Sequence, residues 1–418
     1  MTMAAEKQDK VLNVPTLRFP EFSGDWKEST IGKEFELYSG NTPSRLDKEN
    51  FIGDVNWITS GELKDHYIGD TKEKISEKSA KENNLRLMPE GTFVIAIYGL
   101  EAEGVRSTGS IISKRSTISQ ACMAFTPKGN ISNEFLYSWY KKHGNIIGIR
   151  YAQGTKQQNL SYDIIEKFKI LYPSLKEQDK LNSFISLLDT RIATQIRIID
   201  KLKSLMQGLN NELMDNPKWA KVYIGDFMEF FSTNSLSWEQ LNYDKGQVRN
   251  LHYGLIHSGL PTMVDCQQIF LPYIQDGYLP KQYTICKDGD VAFADASEDT
   301  AEVGKAVELT NIGTQTIACG LHTIHGRDVK NIMVGGFKGF AFNSKYFHDQ
   351  LRRIAQGSKV YSINTDNVKS CYIYIPTIDE QQKIVGLLCC MQDKIEIAEE
   401  ELHLYESQKQ FLLRGLFV

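Results

Sequence analysis

Two stretches of the chain place apolar residues at steps of three and four without a break. The first runs through Leu181, Ile185, Leu188, Ile192, Gln195, Ile199, Leu202, Met206, Leu209 and Leu213. The second runs through Ile384, Leu388, Met391, Ile395, Ala398, Leu402, Tyr405, Lys409, Leu412 and Leu416. This heptad frame predicts two helices of about 38 residues, each roughly 57 Å long at about 1.5 Å per residue. An isolated helix gains little stability while its apolar seam faces water, so each seam requires a partner, and the obvious partner is the other copy. Gln195 and Lys409 interrupt the seams; polar residues at such positions fix register or reach out to solvent.

Between the helical stretches the pattern shortens. FVIAIYG, SIISK and CMAFTP in the first half, and DVAFADA, KAVELT and IMVGG in the second, are short apolar runs bounded by Gly, Pro, Asp or Asn and predict strands. Short helices are expected at Asn133–His143 and at Ser344–Ile354, each followed by an AQG(T/S)K turn. Residues 1–13 are polar and predict a disordered arm, while VPTLRFPEF, with its two prolines, predicts a short non-helical docking segment.

The two halves repeat. Ala152–Ile192 aligns without a gap on Ala355–Ile395 at a constant offset of 203, and Trp26, Ile31, Gly32 and Glu36 echo Trp219, Ile224, Gly225 and Glu229 at an offset of 193. The repeating unit is therefore a domain followed by a long helix. The fold class expected is α+β: two pseudo-symmetric domains separated by two long helices that form an antiparallel coiled coil. The expected boundaries are 14–173 and 215–376 for the domains, and 174–214 and 377–418 for the helical spacers. Such a rod holds two heads at a fixed separation, and a duplex with a helical repeat of about 10 base pairs rewards that geometry.

Charge sharpens the picture. The net charge of −4 excludes a protein that coats nucleic acid indiscriminately. Locally, Arg106–Lys169 holds ten Lys/Arg against three Asp/Glu, and Arg327–Lys369 holds eight against three, whereas Asp265–Glu302 holds eight acidic residues against two lysines. A basic segment at equivalent places in both halves fits phosphate contacts by each domain. The candidate DNA-facing residues are Ser60, Lys64, Arg106, Lys114, Arg115 and Lys156 in the first half, and His252, Tyr253, His257, Arg327, Lys330, Arg353 and Lys359 in the second. No run of about 18 apolar residues predicts a membrane span, and the seven cysteines show no CxxC, zinc spacing or disulfide framework. A cytoplasmic protein is expected.

Catalytic signatures are missing. GxxxxGK(S/T), GxGxxG opening a helix, HExxH and GxSxG do not occur. NPKW at Asn216–Trp219 lacks the second proline of an amino-methyltransferase motif, and Asp54 with Glu62 and Lys64 has only the composition of a nuclease site.

The order of arm, variable domain, helix, variable domain and helix, the AQG(T/S)K turns, the strand-ending prolines, Glu177-Gln178 and Glu380-Gln381 at the helix starts, and the phrases WITSGELKD and NLHYGLIH together resemble the DNA specificity subunit of type I restriction-modification systems. The resemblance spans Val14–Val418. It implies one target recognition domain per half of a split, asymmetric DNA site. It also implies helices that set the spacing and dock two methyltransferase subunits, with two ATP-dependent restriction and translocation subunits added. On that reading the chain performs no chemistry and binds no cofactor or metal; S-adenosylmethionine, ATP and Mg belong to the partner subunits. The rival readings are a coiled-coil scaffold without DNA recognition and a stand-alone DNA-modifying enzyme.

Overall fold

A computed structural model describes residues 13–98, 108–151, 159–300, 302–357 and 359–418. It divides into two compact units, 1–195 with 401–418 and 196–400. Each long helix therefore contributes to both units: Leu175–Met214 passes from the first to the second, and Ile378–Leu416 from the second back to the first.

In the first unit β1 (Lys27–Thr30) pairs antiparallel with β10 (Lys169–Tyr172). A five-stranded sheet runs in the order β2 (Phe35–Ser39), β9 (Cys122–Pro127), β6 (Phe93–Ala96), β7 (Gly109–Ile112) and β4 (Tyr67–Ile68). Beside it lies a three-stranded sheet of β5 (Lys74–Ile75), β3 (Val55–Ile58) and β8 (Ser116–Ile118). The core gathers Phe93, Phe125, Phe135 and Trp139 around Leu181 and Ile185 of the first long helix.

The second unit repeats this topology and adds strands to it. β11 (Ala220–Tyr223) pairs with β23 (Tyr372–Ile375). The five-stranded sheet is β12 (Met228–Phe231), β21 (Thr323–Asp328), β17 (Val291–Ala294), β19 (Ala306–Thr310) and β15 (Met263–Asp265). The smaller sheet is β13 (Leu241–Asn242), β16 (Tyr273–Ile274), β14 (Arg249–Leu251) and β20 (Ile317–Cys319). A further pair joins β18 (Ala296–Ser297) to β22 (Tyr361–Ser362). The same two pairings are parallel in each unit: β4 with β7 matches β15 with β19, and β3 with β8 matches β14 with β20.

The sequence echo has a packing cause. A Cβ on Gly32 would sit 2.9 Å from Glu166 Cβ, and one on Gly225 would sit 3.2 Å from Lys369 Cβ, so a side chain at either position would press on the segment docked there. The glutamines that open the long helices are buried and bonded alike. Gln178 Nε2 donates to the carbonyls of Asn130 and Pro173, and its Oε1 accepts from Ser132 N. Gln381 Nε2 donates to Ile332 and Pro376, and its Oε1 accepts from Val334 N. Their glutamate neighbours differ. Glu177 receives a bidentate pair from Arg18 at 2.8 Å and a bond from Trp26 Nε1, fastening the segment before β1, whereas Glu380 caps its own helix through Thr377.

Every position of both heptad frames, Ile192, Leu202, Met391 and Leu402 among them, is buried or half-buried. In the first unit Asp189 meets Lys409, Arg191 meets Tyr405, and Gln195 donates to Glu401, so the helical segments run antiparallel there. Both polar interruptions of the seam are thus partnered across it. In the second unit Lys203 pairs with Glu399, and Met206 and Leu209 join the core that holds Ile384 and Leu388.

Three expectations change. Ile332–Gly336 is not a strand, because its amides are taken by side chains: Met333 N by Asp328, Val334 N by Gln381 and Gly336 N by Glu308. The helix at Asn133 extends to Tyr151 rather than stopping at His143. Asn13 belongs to the folded body, since its carbonyl accepts from Trp26 N at 2.8 Å.

Candidate nucleic-acid interface

The phrases WITSGELKD and NLHYGLIH fall at equivalent points of the two units. Each is the strand that pairs in parallel with β8 or β20, followed at once by a capped turn. Ile58 stands opposite Ile118, and Leu251 opposite Cys319. The next residue is the cap: Thr59 in the first unit, His252 in the second. Glu62 Oε2 accepts from Thr59 N and Oγ1, and its Oε1 accepts from Lys72 N, closing the Ser60–Glu62 turn. His252 Nδ1 accepts from Gly254 N and starts the Tyr253–His257 helix. These bonds fix the turns and leave Gly61, Lys64, Asp65 and Ser258 exposed at the surface.

In the second unit other segments converge on the same end of the domain. His257 Nε2 lies 3.0 Å from the carbonyl of Ala296, and Ala296 pairs with Ser362 in the hairpin that carries Lys359. Tyr253 packs edge-on against His322, whose Nδ1 is 3.0 Å from Asp295. Exposed Arg353 ends the helix Lys345–Ile354 that leads into the hairpin. Tyr253, His257 and His322 therefore share one neighbourhood, with Lys359 three residues before Ser362 and Arg353 on the helix that leads there, adding cationic groups suited to phosphates.

The remaining candidates are placed elsewhere. Lys330 is exposed two residues beyond the opposite end of β21, a strand that spans about 17 Å from Thr323 to Asp328. Arg327 corrects the sequence reading: its guanidinium holds buried Asp290 through two bonds of 2.7 and 2.6 Å, donates to the carbonyl of Ile285, and lies over the Phe231 ring. Its hydrogen bonds are committed to protein partners although the side chain is partly exposed. His252 likewise is buried as a cap against Trp238 rather than presented to a ligand. In the first unit Lys114 and Arg115 are exposed in the turn entering β8, the end away from Ser60. Arg106 and Lys156 lie outside the described residues. The nuclease-like trio also dissolves, because the Glu62 carboxylate is occupied by the turn it closes.

Two features were not found from sequence. His66 is sandwiched between Tyr67 and Tyr137, with ring centroids 4.2 and 3.9 Å away. Its Nε2 is 2.9 Å from Glu134 and its Nδ1 3.6 Å from Asp189. Burial disfavours the charged ring, but the bonds to Asp189 and Glu134 outweigh it and raise its pKa. In the second unit Arg249 lies over Phe270 and Tyr273, with Tyr243 beside Phe270, forming a partly exposed aromatic and cationic patch. Its residues are scattered over thirty positions, so only the fold reveals it.

Residues 23–204 match the sequence family described as the type I restriction modification DNA specificity domain. That similarity spans less than half of the chain. Among curated relatives, the MjaIX specificity subunit of Methanocaldococcus jannaschii is 29% identical over 248 residues, 54% of this chain and 56% of that protein. The alignment thus spans little more than half of that relative. The MjaVIII specificity subunit of the same organism is 22% identical over 427 residues, 98% of this chain and 95% of its own length. Among solved structures, the S subunit from M. genitalium superposes with a TM-score of 0.54 at 15% identity, covering 97% of this chain and 99% of that one. A chain from a type I R-M system gives 0.61 at 14% identity, covering 93% and 96%. At these identities the structural likeness establishes the fold alone: two α+β domains with long helices. Among the described residues no helix is long and apolar enough to cross a membrane.

Proposed function

We infer that this chain reads DNA sequence as the specificity subunit of a type I restriction-modification complex, one half-site per unit. The observation that carries the reading is the pair of capped turns, Ser60–Glu62 and Tyr253–His257, built at one topological position on two domains whose surfaces have diverged. Equal scaffolds with unequal side chains suit a split, asymmetric target.

The partners follow the same reading. Outside the heptad seam the long helices expose further apolar side chains: Leu187, Leu404 and Phe411 in the first unit, Ile198, Leu205, Leu387 and Ile397 in the second. These suit docking by methyltransferase subunits, two per chain on the family pattern, with two restriction and translocation subunits added. S-adenosylmethionine, ATP and Mg would bind those partners, and this chain would perform no chemistry, working in the cytoplasm. A net charge of −4 fits a chain that binds DNA tightly only once its partners add cationic surface.

The test is binding of labelled duplex over a salt series, with and without the methyltransferase subunit, followed by methylation mapping in cells carrying the system. A single bipartite motif is expected. Binding indifferent to sequence with the partner present would overturn the reading.

A further inference from the structure

Cys286, Cys319 and His325 come together in the interior of the second unit, and all three are buried. Two strands and one bridge bring them there. Cys319 ends β20, His325 lies in the adjoining β21, and Cys286 N donates to Ile317 O at 2.8 Å beside the Ile285–Ala318 bridge. Their ligand atoms all lie within 4.8 Å of one another, and the two Sγ atoms are 3.6 Å apart. Two thiolates on one ion at about 2.3 Å stand about 3.8 Å apart in a tetrahedral site and about 4.0 Å in a trigonal one. The sulfur pair is already within a few tenths of an ångström of that spacing.

The imidazole supplies the second, independent observation. Asp290 is buried, and its Oδ2 accepts from Lys287 N at 2.8 Å and Arg327 at 2.6 Å, with His325 Nε2 2.7 Å away. A carboxylate that takes a two-bond guanidinium pair and a backbone amide acts as an acceptor, so Nε2 donates to it. In the neutral ring Nδ1 is then a bare lone pair, and it is fully buried with no hydrogen-bond partner. A carboxylate that fixes the ring through one nitrogen and leaves the other bare, with two thiols within 4.8 Å of a ring nitrogen, is the arrangement that orients a metal-ligating histidine.

We propose that Cys286, Cys319 and His325 bind one thiophilic metal ion, Zn(II) or Cu(I), as a closed structural site, with Asp290 orienting the imidazole. Two thiolates and an imidazole are the donor set that both ions favour, and hard oxygen-seeking ions such as Mg(II) do not. Three protein donors complete a trigonal Cu(I) site, whereas Zn(II) takes a fourth ligand. Burial means that the ion enters as the unit folds. It would fasten β20 to β21 at the turn 320–322, where His322 meets Tyr253.

The test uses the untagged full chain. Elemental analysis after purification without chelator should find about one equivalent of zinc or copper, and the element found distinguishes the two ions. Co(II) should add thiolate charge-transfer absorption to the zinc form; a bathocuproine competition should report the copper form. Cys286→Ser, Cys319→Ser and His325→Asn should each weaken metal binding at least about 10-fold, and Asp290→Asn by about 10- to 100-fold. Cys122→Ser, a buried thiol in the first unit, should leave it unchanged. Should a variant fail to fold, wild type alone decides: chelation should open two thiols to a thiol reagent, and the added ion should close them. A folded wild-type chain that takes up neither ion, or ion uptake that survives the double Cys286→Ser/Cys319→Ser change, would overturn the proposal.

Discussion

Thr59 and His252 start equivalent turns with different atoms, a hydroxyl in one unit and an imidazole nitrogen in the other. Because the caps hold the backbone, the side chains just beyond them are free to differ, and the proposed function assigns discrimination to those positions. Lys359→Ala should weaken binding to all duplexes alike and reduce the salt slope by about one, whereas Tyr253→Ala should relax selectivity at one half-site by about 1–3 kcal/mol. Equal losses on cognate and non-cognate duplex for both variants would remove Tyr253 from base readout.

His66 makes a pH prediction at the same scale. With its pKa raised, its contribution to stability is complete below the unfolded value of about 6.5 and is lost as pH rises through the folded value. Asp189 acts in the opposite sense. Burial resists its ionisation, but the bonds to His66 and Lys409 lower its pKa, so its contribution is lost as pH falls through that lowered value. Urea midpoints at pH 6 and 8.5 should drop more for wild type than for His66→Gln, and equal drops would count against this coupling.

At the scale of elements, the long helices were legible because the heptad frame is local and unbroken. The polar partners of Gln195 and Lys409 were not, since Glu401 and Asp189 lie about two hundred residues away in sequence. The same limit hid Asp290, which takes Arg327 out of the DNA-facing set, and Asp189, which holds His66. Ile332–Gly336 reads as a strand by composition, yet its amides bond to Asp328, Gln381 and Glu308, which no local pattern announces. Gln178 and Gln381 are the joints between domain and helix. Gln178→Ala and Gln381→Ala should each cost about 1–3 kcal/mol per buried backbone group left unpaired. Urea denaturation followed by proteolysis should show the loss confined to the unit that carries the change.

For the whole molecule, the duplication predicts modular specificity. Replacing residues 15–170 with another recognition domain should change one half-site and leave the other, as read by methylation mapping; a change in both halves would defeat the modular reading. Seven residues inserted in each long helix should keep the heptad register and lengthen the non-specific gap in the recognised site. The basic segments conveyed the sign of the partner, but the structure thins them: Lys338 is buried against Glu308, and Arg327 is held by Asp290.

The first unit takes Leu413, Leu416 and Phe417 into its core, and Lys142 holds the carbonyls of Arg414 and Phe417. The second unit, 196–400, is one continuous stretch of chain. On the ribosome the order of completion is therefore the reverse of the order of synthesis: the N-terminal unit waits, its hydrophobic interior open, until residues 401–418 have been made. Phe417→Ala should destabilise that unit by about 3–5 kcal/mol while sparing the other. A premature stop near residue 400 would leave the part of the protein made first without Leu413, Leu416 and Phe417 of its core.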